Sequence, residues 1–352
     1  MPNVRFTPYH VVFNGGFTGE NSPGGQVYYV AASGYTAVNG IGASDSNNGK
    51  SPQQPFSTIQ AGLDACTAGR GDTVALLPGS WTVTAALTMT KDDVTLKSAI
   101  PVGPRERGPA VIVNATDVNT LAIDANDCAV AGIVFDDNVA TATADTAVIA
   151  VNTASTATDY TGTKIINCYL DMAGADSDRD GITLGLAGDA TDGALNSLVE
   201  GCTIWDCNQD AIVIAAGSEY STVRNCHIHD DGTILTRYGV EVVALSCTVE
   251  DCDISVSDTA TPGACIHNGL AASRLEAYRN TLHAWGADGT CILAIATATQ
   301  RTADNWMTAV AAGNLVDYIT DNTSPSADAN VQAVFAADSP KADFDTPTDD
   351  GA

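Results

Sequence analysis

The residues best equipped for chemistry recur at regular intervals through the second half of the chain. Tyr169 and Asp171, Thr203 and Trp205, His227 and His229, Asp253 and Ser255, and Thr281 and His283 form successive pairs, with Trp285 just beyond the last. Tyr169, Trp205, His227, His229, His283 and Trp285 suit a carbohydrate, because aromatic faces stack on sugar rings while imidazoles hold hydroxyls or move protons. The alternative is that these side chains pack beneath a neighbouring loop or a second subunit. Glycoside hydrolysis needs two carboxylates roughly 5–9.5 Å apart, one of them kept protonated. Asp206 and Asp230 make one such pair by position, and Asp180 and Asp210 make another. His229 and Arg224 join Asp206 and Asp230 as catalytic candidates. Arg224, Arg237 and Arg279 are candidate bases for an elimination, although Arg224 and Arg279 also read as ordinary turn residues. Asp turns also recur in repeat proteins for purely structural reasons.

A cation is the other chemistry on offer. Asp176-Ser177-Asp178-Arg179-Asp180-Gly181 has the alternating carboxylates and tight-turn glycine of a calcium loop. Ala187 stands where such a loop ends in Glu, so Asp176, Asp178 and Asp180 would form an incomplete Ca²⁺ site, open to a substrate or to another loop. The competing reading is an acidic surface turn. No other cofactor is called for.

What places these residues is a repeat. Ile133, Cys168, Cys202, Cys226, Cys252 and Asn280 form a column at intervals of 35, 34, 24, 26 and 28 residues. Two residues later stand Phe135, Leu170, Ile204, Ile228, Ile254 and Leu282; three earlier stand Val130, Ile165, Val199, Val223, Val249 and Ala277. Positions two apart share a face only in a strand. A second strand follows each first, as in Ala211-Ile212-Val213-Ile214 and Gly239-Val240-Glu241-Val242. Units this short cannot bury an apolar face alone and must stack, which predicts a parallel β-solenoid. The residues at one and three positions past the column then point outward, and Asp171, Trp205, His229, Ser255 and His283 line up. The spacing predicts one further turn at Gly313-Asn314-Leu315-Val316.

Composition narrows the partners. Of 352 residues, 15 are Lys or Arg and 42 are Asp or Glu, a formal net charge of −27. That argues against nucleic acid and against an anionic membrane surface, both of which reward basic patches. A polyanionic substrate would need a local basic cluster set against the global field. The ten cysteines are expected as buried free thiols: stacked positions about 4.8 Å apart have parallel side-chain vectors, wrong for a disulfide. The opening Met1-Pro2-Asn3-Val4 has no basic region leading into an apolar run, so no secretory signal is expected, and no segment approaches the ~18 apolar residues of a membrane span.

Residues 1–26 read as an irregular arm, 27–320 as the solenoid and 321–352 as an irregular tail containing one strand near Val331. A helix is expected near 57–68, with Ser57 and Gln60 as its capping box and Ile59, Leu63 and Cys66 on its buried face. The passage Ser51-Pro52-Gln53-Gln54-Pro55-Phe56-Ser57-Thr58-Ile59-Gln60, followed by Gly71-Asp72-Thr73-Val74 and Pro78-Gly79, with Trp81 close behind, resembles the opening of pectin-lyase-like proteins. With the repeats, the resemblance covers roughly residues 27–320. It implies an all-β, single-stranded right-handed parallel β-helix with an N-terminal capping helix. The family spans polysaccharide lyases, glycoside hydrolases, epimerases, phage tailspikes and inert virion parts. Of the hydrolases' Asn-Thr-Asp, Asp-Asp, Gly-His-Gly and Arg-Ile-Lys elements, only Asp230-Asp231 has a loose counterpart.

Two functions follow as expectations. The first is a virion surface protein (a capsid decoration, spike or fibre), assembled with other virion proteins or its own copies, with a trimer as one form, and able to bind a glycan. The alternative is a polysaccharide lyase or glycoside hydrolase acting outside the cell on an acidic polysaccharide. The arm, the thiols and the missing signal favour the first; the Trp, His and Asp residues favour the second.

Overall fold

A computed structural model describes residues 25–137, 146–153, 158–172, 179–186, 192–207, 209–230, 237–256, 263–269, 274–284, 290–294, 299–309, 316–317 and 331–334. Almost all of it is strand. Three long parallel sheets run up the molecule, and each coil of the chain contributes one strand to each in turn. Sheet I begins at Val27–Val30, sheet II at Gly79–Val83 and sheet III at Leu87–Met89. Among the described residues they hold ten, ten and nine strands. One coil shows the plan: Leu198–Glu200 in sheet I, Thr203–Trp205 in sheet II, then Asp210–Ile214 in sheet III. The register is residue for residue, with Val199 on Val223, Ile204 on Ile228 and Ile212 on Val240. The expected parallel β-helix is the fold.

The repeat column sits inside. Cys168, Cys202, Cys226 and Cys252 are buried on consecutive coils, and all ten cysteines are free. Their thiols donate to the main chain of the coil before, as Cys202 Sγ does to Ile165 O at 3.5 Å. From Asn280 onward the column changes from thiol to amide. Asn280 Nδ2 donates to Val249 O at 3.0 Å, and Asn305 Nδ2 to Ala277 O at 3.0 Å.

The sequence reading needs three corrections here. The segment around the column is not one strand but two, broken by a single left-handed residue: Asn167, Gly201, Asn225, Asp251 and Arg279 have φ between 52° and 64°. Gly, Asn and Asp tolerate this conformation. Arg279 does so less readily and is held by ion pairs to Glu250 and Asp251, each at 2.8 Å. The turn after Asn280 is at Asn305, 25 residues on, and not at Asn314. Val316–Asp317 belongs to sheet III instead, and Gly313 to Leu315 lie outside the described residues. Val331–Val334 adds a strand to sheet II, so the solenoid runs past residue 320.

The cap also differs in detail. The helix spans Ile59–Ala65, and Thr58 rather than Ser57 caps it, accepting from Ala61 N. The Asp45 carboxylate organises the entry by accepting from the amides and hydroxyls of both Ser57 and Thr58. Gln60 turns instead to the main chain of Thr88. Ile59, Leu63 and Cys66 are buried as expected, closing the bottom layer of the core. Among the described residues no helix is long and apolar enough to cross a membrane.

Candidate functional site

The outward face of sheet II assembles as the alternation dictates. Asp171, Trp205, His229, Ser255, His283 and Thr308 are cross-strand neighbours in one file, and Tyr169, Thr203, His227, Asp253, Thr281 and Trp306 in the next. The rings are nonetheless committed to one another. Trp205 and His229 stack at 4.2 Å between centroids with planes 6° apart, so His229 takes one indole face. His227 Nε2 lies 3.8 Å from Asp253 Oδ2, and His283 Nδ1 bonds Thr308 Oγ1. Burial holds the His227 and His283 imidazoles below their ordinary range. The loop from Pro101 to Pro109 crosses the edge of this face. Asn167 Nδ2 donates to Val102 O at 3.1 Å, Arg105 N to Gly201 O at 3.1 Å, and Arg107 reaches Asp171 at 2.8 Å. The Arg107 guanidinium also covers the Tyr169 ring at 5.3 Å. Trp285 lies outside the described residues.

The four residues read from sequence as catalytic are not gathered into one site. Asp206 and Asp230 follow Trp205 and His229 on consecutive coils and are buried, each with 2% of its surface exposed. Arg224 belongs to sheet I and pairs there with Glu200 at 3.0 Å. His229 remains on sheet II inside its stack.

Sheet III carries the denser chemistry. Asp180 stands second in Arg179–Leu184, Asp210 opens the next strand, and Tyr238 opens the one after, directly across from Asp210. Asp180 Oδ1 accepts from Asp210 N at 3.3 Å, and Oδ2 accepts from Thr183 Oγ1 at 3.3 Å. Arg237 grips Asp210 with both arms of its fork, Nε lying 3.0 Å from Oδ1. The same guanidinium lies 3.9 Å from Glu241 and covers the Tyr238 ring at 4.8 Å. His267, one coil on, sets Nδ1 3.1 Å from Glu241 Oε1 and stacks on Tyr238 at 4.1 Å.

The charges on this face are pulled apart. Burial, with the Asp210 charge beside it, pushes Asp180 up to about 7. Burial likewise pushes Asp210 up to about 6 against the pull of Arg237, and the Glu241 charge adds to the rise. Glu241 goes the other way: burial works against its charge, but the hydrogen bond from His267 and the nearby cations hold it below the usual range. A protonated carboxyl and an ionised one on the same face are the pair that acid–base catalysis requires.

The calcium-loop reading divides. Asp176 and Asp178 lie outside the described residues. Asp180 belongs to the cluster above, and Arg179 turns away from it, fully buried, with Nε 2.9 Å from Asp137 Oδ2 and Nη2 2.9 Å from Val118 O. Among the described residues no group of three His, Cys, Asp or Glu side chains is placed to hold a metal ion. The sequence reading paired Asp180 with Asp210 and noted Arg237, but passed over Tyr238, Glu241 and His267. Their signal was a charged or aromatic residue at outward positions of Gly239-Val240-Glu241-Val242 and its neighbours.

A family model described as the right handed beta helix region matches residues 122–282. No curated protein sequence matches the chain. Among solved structures, a rhamnogalacturonan lyase is 12% identical, with 88% of this chain and 87% of that one covered and a TM-score of 0.48. A pectate lyase is 13% identical, covering 86% and 81%, with a TM-score of 0.43. The A-module of a mannuronan C-5 epimerase from Azotobacter vinelandii is 16% identical, covering 80% and 95%, with a TM-score of 0.36. These are likenesses of fold. The three-sheet coil and its parallel register, with the match over residues 122–282, make the fold a right-handed parallel β-helix.

Proposed function

We propose that the protein is a polysaccharide-acting enzyme whose acid–base centre is the outward face of sheet III. The observation that carries this reading is the opposed pair on that face: Asp180, raised to about 7, and Glu241, held ionised. Asp180 donates its proton to the glycosidic oxygen as the bond to the anomeric carbon breaks. Glu241 takes a proton from the water that attacks that carbon. Thr183 and Asp210 N hold the Asp180 carboxyl, and His267 with Arg237 keeps Glu241 charged. Thr183 is level with Glu241 across two coil steps, roughly 10 Å of backbone rise.

A carboxyl kept protonated near neutral pH costs stability at physiological pH, and such groups cluster at functional sites. This favours the enzyme over the virion role, on which nothing in the described fold bears. An extracellular place of action and a polysaccharide partner go with the reading. The test is incubation with a polysaccharide panel, following new reducing ends and unsaturated-uronate absorbance separately, for the parent protein and for Asp180→Asn and Glu241→Gln. Reducing ends that vanish in both variants are expected. Unsaturated product would replace hydrolysis by elimination, and silence of the folded parent on every polymer would sink the enzyme reading.

A further inference from the structure

We infer that the corner where sheet III turns into sheet I holds a calcium ion, bound by the Asp192 carboxylate and the side-chain oxygen of Asn152. The corner lies apart from the acid–base centre: Asp180 stands near the start of Arg179–Leu184, whereas Asp192 comes after its end. Asn152 follows Thr146–Val151, the parallel neighbour of that strand on the coil before. Asp192 is wholly buried, and neither Oδ1 nor Oδ2 has a hydrogen-bond partner among the described residues. Asn152 is 1% exposed and left-handed, with φ 61°. Its Nδ2 donates to Thr158 O at 2.9 Å and to Gly193 O at 3.1 Å, which brings the amide against the residue next to Asp192. Its Oδ1 has no partner among the described residues. Three buried oxygens on adjoining coils therefore lack a donor. A buried charge is ordinarily paired or coordinated to a metal, because leaving water is otherwise too costly.

The surrounding charge asks for a cation. Asp92, Asp124 and Asp159 stand in the same corner, on the coils up to that of Asn152. Main-chain amides satisfy all three: Asp92 accepts from Asn126 N at 2.8 Å, Asp124 from Thr153 N at 2.7 Å and Asp159 from Gly193 N at 2.9 Å. Among the described residues none of these carboxylates, nor that of Asp192, enters an ion pair. Burial raises the Tyr160 phenol above its ordinary range, and the charges of Asp124, Asp92 and Asp192 raise it further, so these carboxylates act on a common space. A water would give Asp192 hydrogen bonds and leave its charge uncompensated. Carboxylate and amide oxygens are hard donors, the set that Ca²⁺ takes in flexible geometry. Mg²⁺ demands a near-ideal octahedron and keeps several waters, which suits side chains without exposed surface poorly. The ion is thus held by one carboxylate and neutral oxygens, not by three acidic side chains.

The test is calorimetric titration of the full chain, stripped with EGTA, with CaCl₂, paired with thermal melts at constant ionic strength. Calcium binding through Asp192 is expected, with a Tm at least about 3 °C higher at a hundredfold excess over Kd than in EGTA. Asp192→Asn should abolish that binding and its Tm shift. In EGTA the same variant should melt above the parent, because it removes a buried charge that then has no partner. Asn152→Gly keeps the left-handed backbone but loses the oxygen, and should weaken binding by at least about tenfold. It decides the matter if Asp192→Asn does not fold. A folded parent that binds no calcium would overturn the inference and leave Asp192 to a buried water or a bound proton. Calcium binding that is unchanged in both variants would place the ion elsewhere and overturn it equally. So would the same Tm gain from Na⁺ or K⁺ as from Ca²⁺. Every readout is binding or stability, so failure here leaves the enzyme reading intact, and silence on polysaccharides leaves this site intact.

Discussion

Sheets II and III climb the same coils over the same core, yet their outward faces put in-register stacking to opposite use. On sheet II the register sets ring against ring, and Trp205 and His229 satisfy one another at 4.2 Å. On sheet III it sets Asp180 beside Asp210, and Asp210 toward Glu241. Stacked rings attract, so an aromatic file becomes more stable and less available. Stacked carboxylates repel, so at least one holds its proton near neutral pH, where that proton can be transferred. A parallel ladder thus turns one kind of repetition into cement and sets the charges of another against each other.

The comparison breaks most visibly in activity. Asp180→Asn and Glu241→Gln should each lower turnover by about 10²–10⁴-fold. Trp205→Ala and His229→Ala should leave turnover within a small factor of the parent. Rates of reducing-end release decide this, and a collapse confined to the sheet II variants would move the site to that face.

Stability sharpens it next. Arg179→Met removes the guanidinium paired with the buried Asp137 carboxyl, with an expected loss of about 3–5 kcal/mol in urea unfolding. Adding Asp137→Leu should recover most of that loss. If the single variant melts like the parent, the buried pair plays no part in anchoring sheet III.

The pH dependence gives a smaller, signed effect. Asp180 has its folded pKa raised to about 7, above the unfolded value. Its favourable contribution is therefore complete below the unfolded pKa and is lost as pH rises through about 7. Asp180→Asn should raise the Tm relative to the parent at about pH 8 and do so less at about pH 5, whereas Trp205→Ala should show no such pH-dependent gain. Activity of the parent should fall on the alkaline side as Asp180 loses its proton. A parent whose rate keeps rising above pH 8 would remove Asp180 from the acid role.

The smallest effects belong to the sheet II stack and its rim. Trp205→Ala should remove about 0.5–1.5 kcal/mol of ring pairing beyond its lost area, and Arg107→Ala less than about 1 kcal/mol, since that pair is half exposed. Urea titrations resolve the first, and a double variant with Asp171→Ala tests whether the second couples at all.

Much of this architecture could be read in advance. The outward files on sheet II follow from strict alternation, because a strand cannot turn one side chain without turning its neighbours. The coil at Asn305 escaped the reading because Thr302 stands three residues before it, where the other coils have apolar side chains. Glu241 and His267 escaped because their contact joins residues 26 apart at positions that vary freely from coil to coil.

By itself, the sequence determined that strands would stack in parallel, which side chains would face the core, and which would share a file. Those follow from period and spacing, which are properties of the chain. The tertiary structure alone decided which file stacks ring on ring and which is charged against itself. Ring stacking, the grip of Arg237 on Asp210 and the burial that raises Asp180 depend on distances between coils and on exclusion of water, and no single coil contains either.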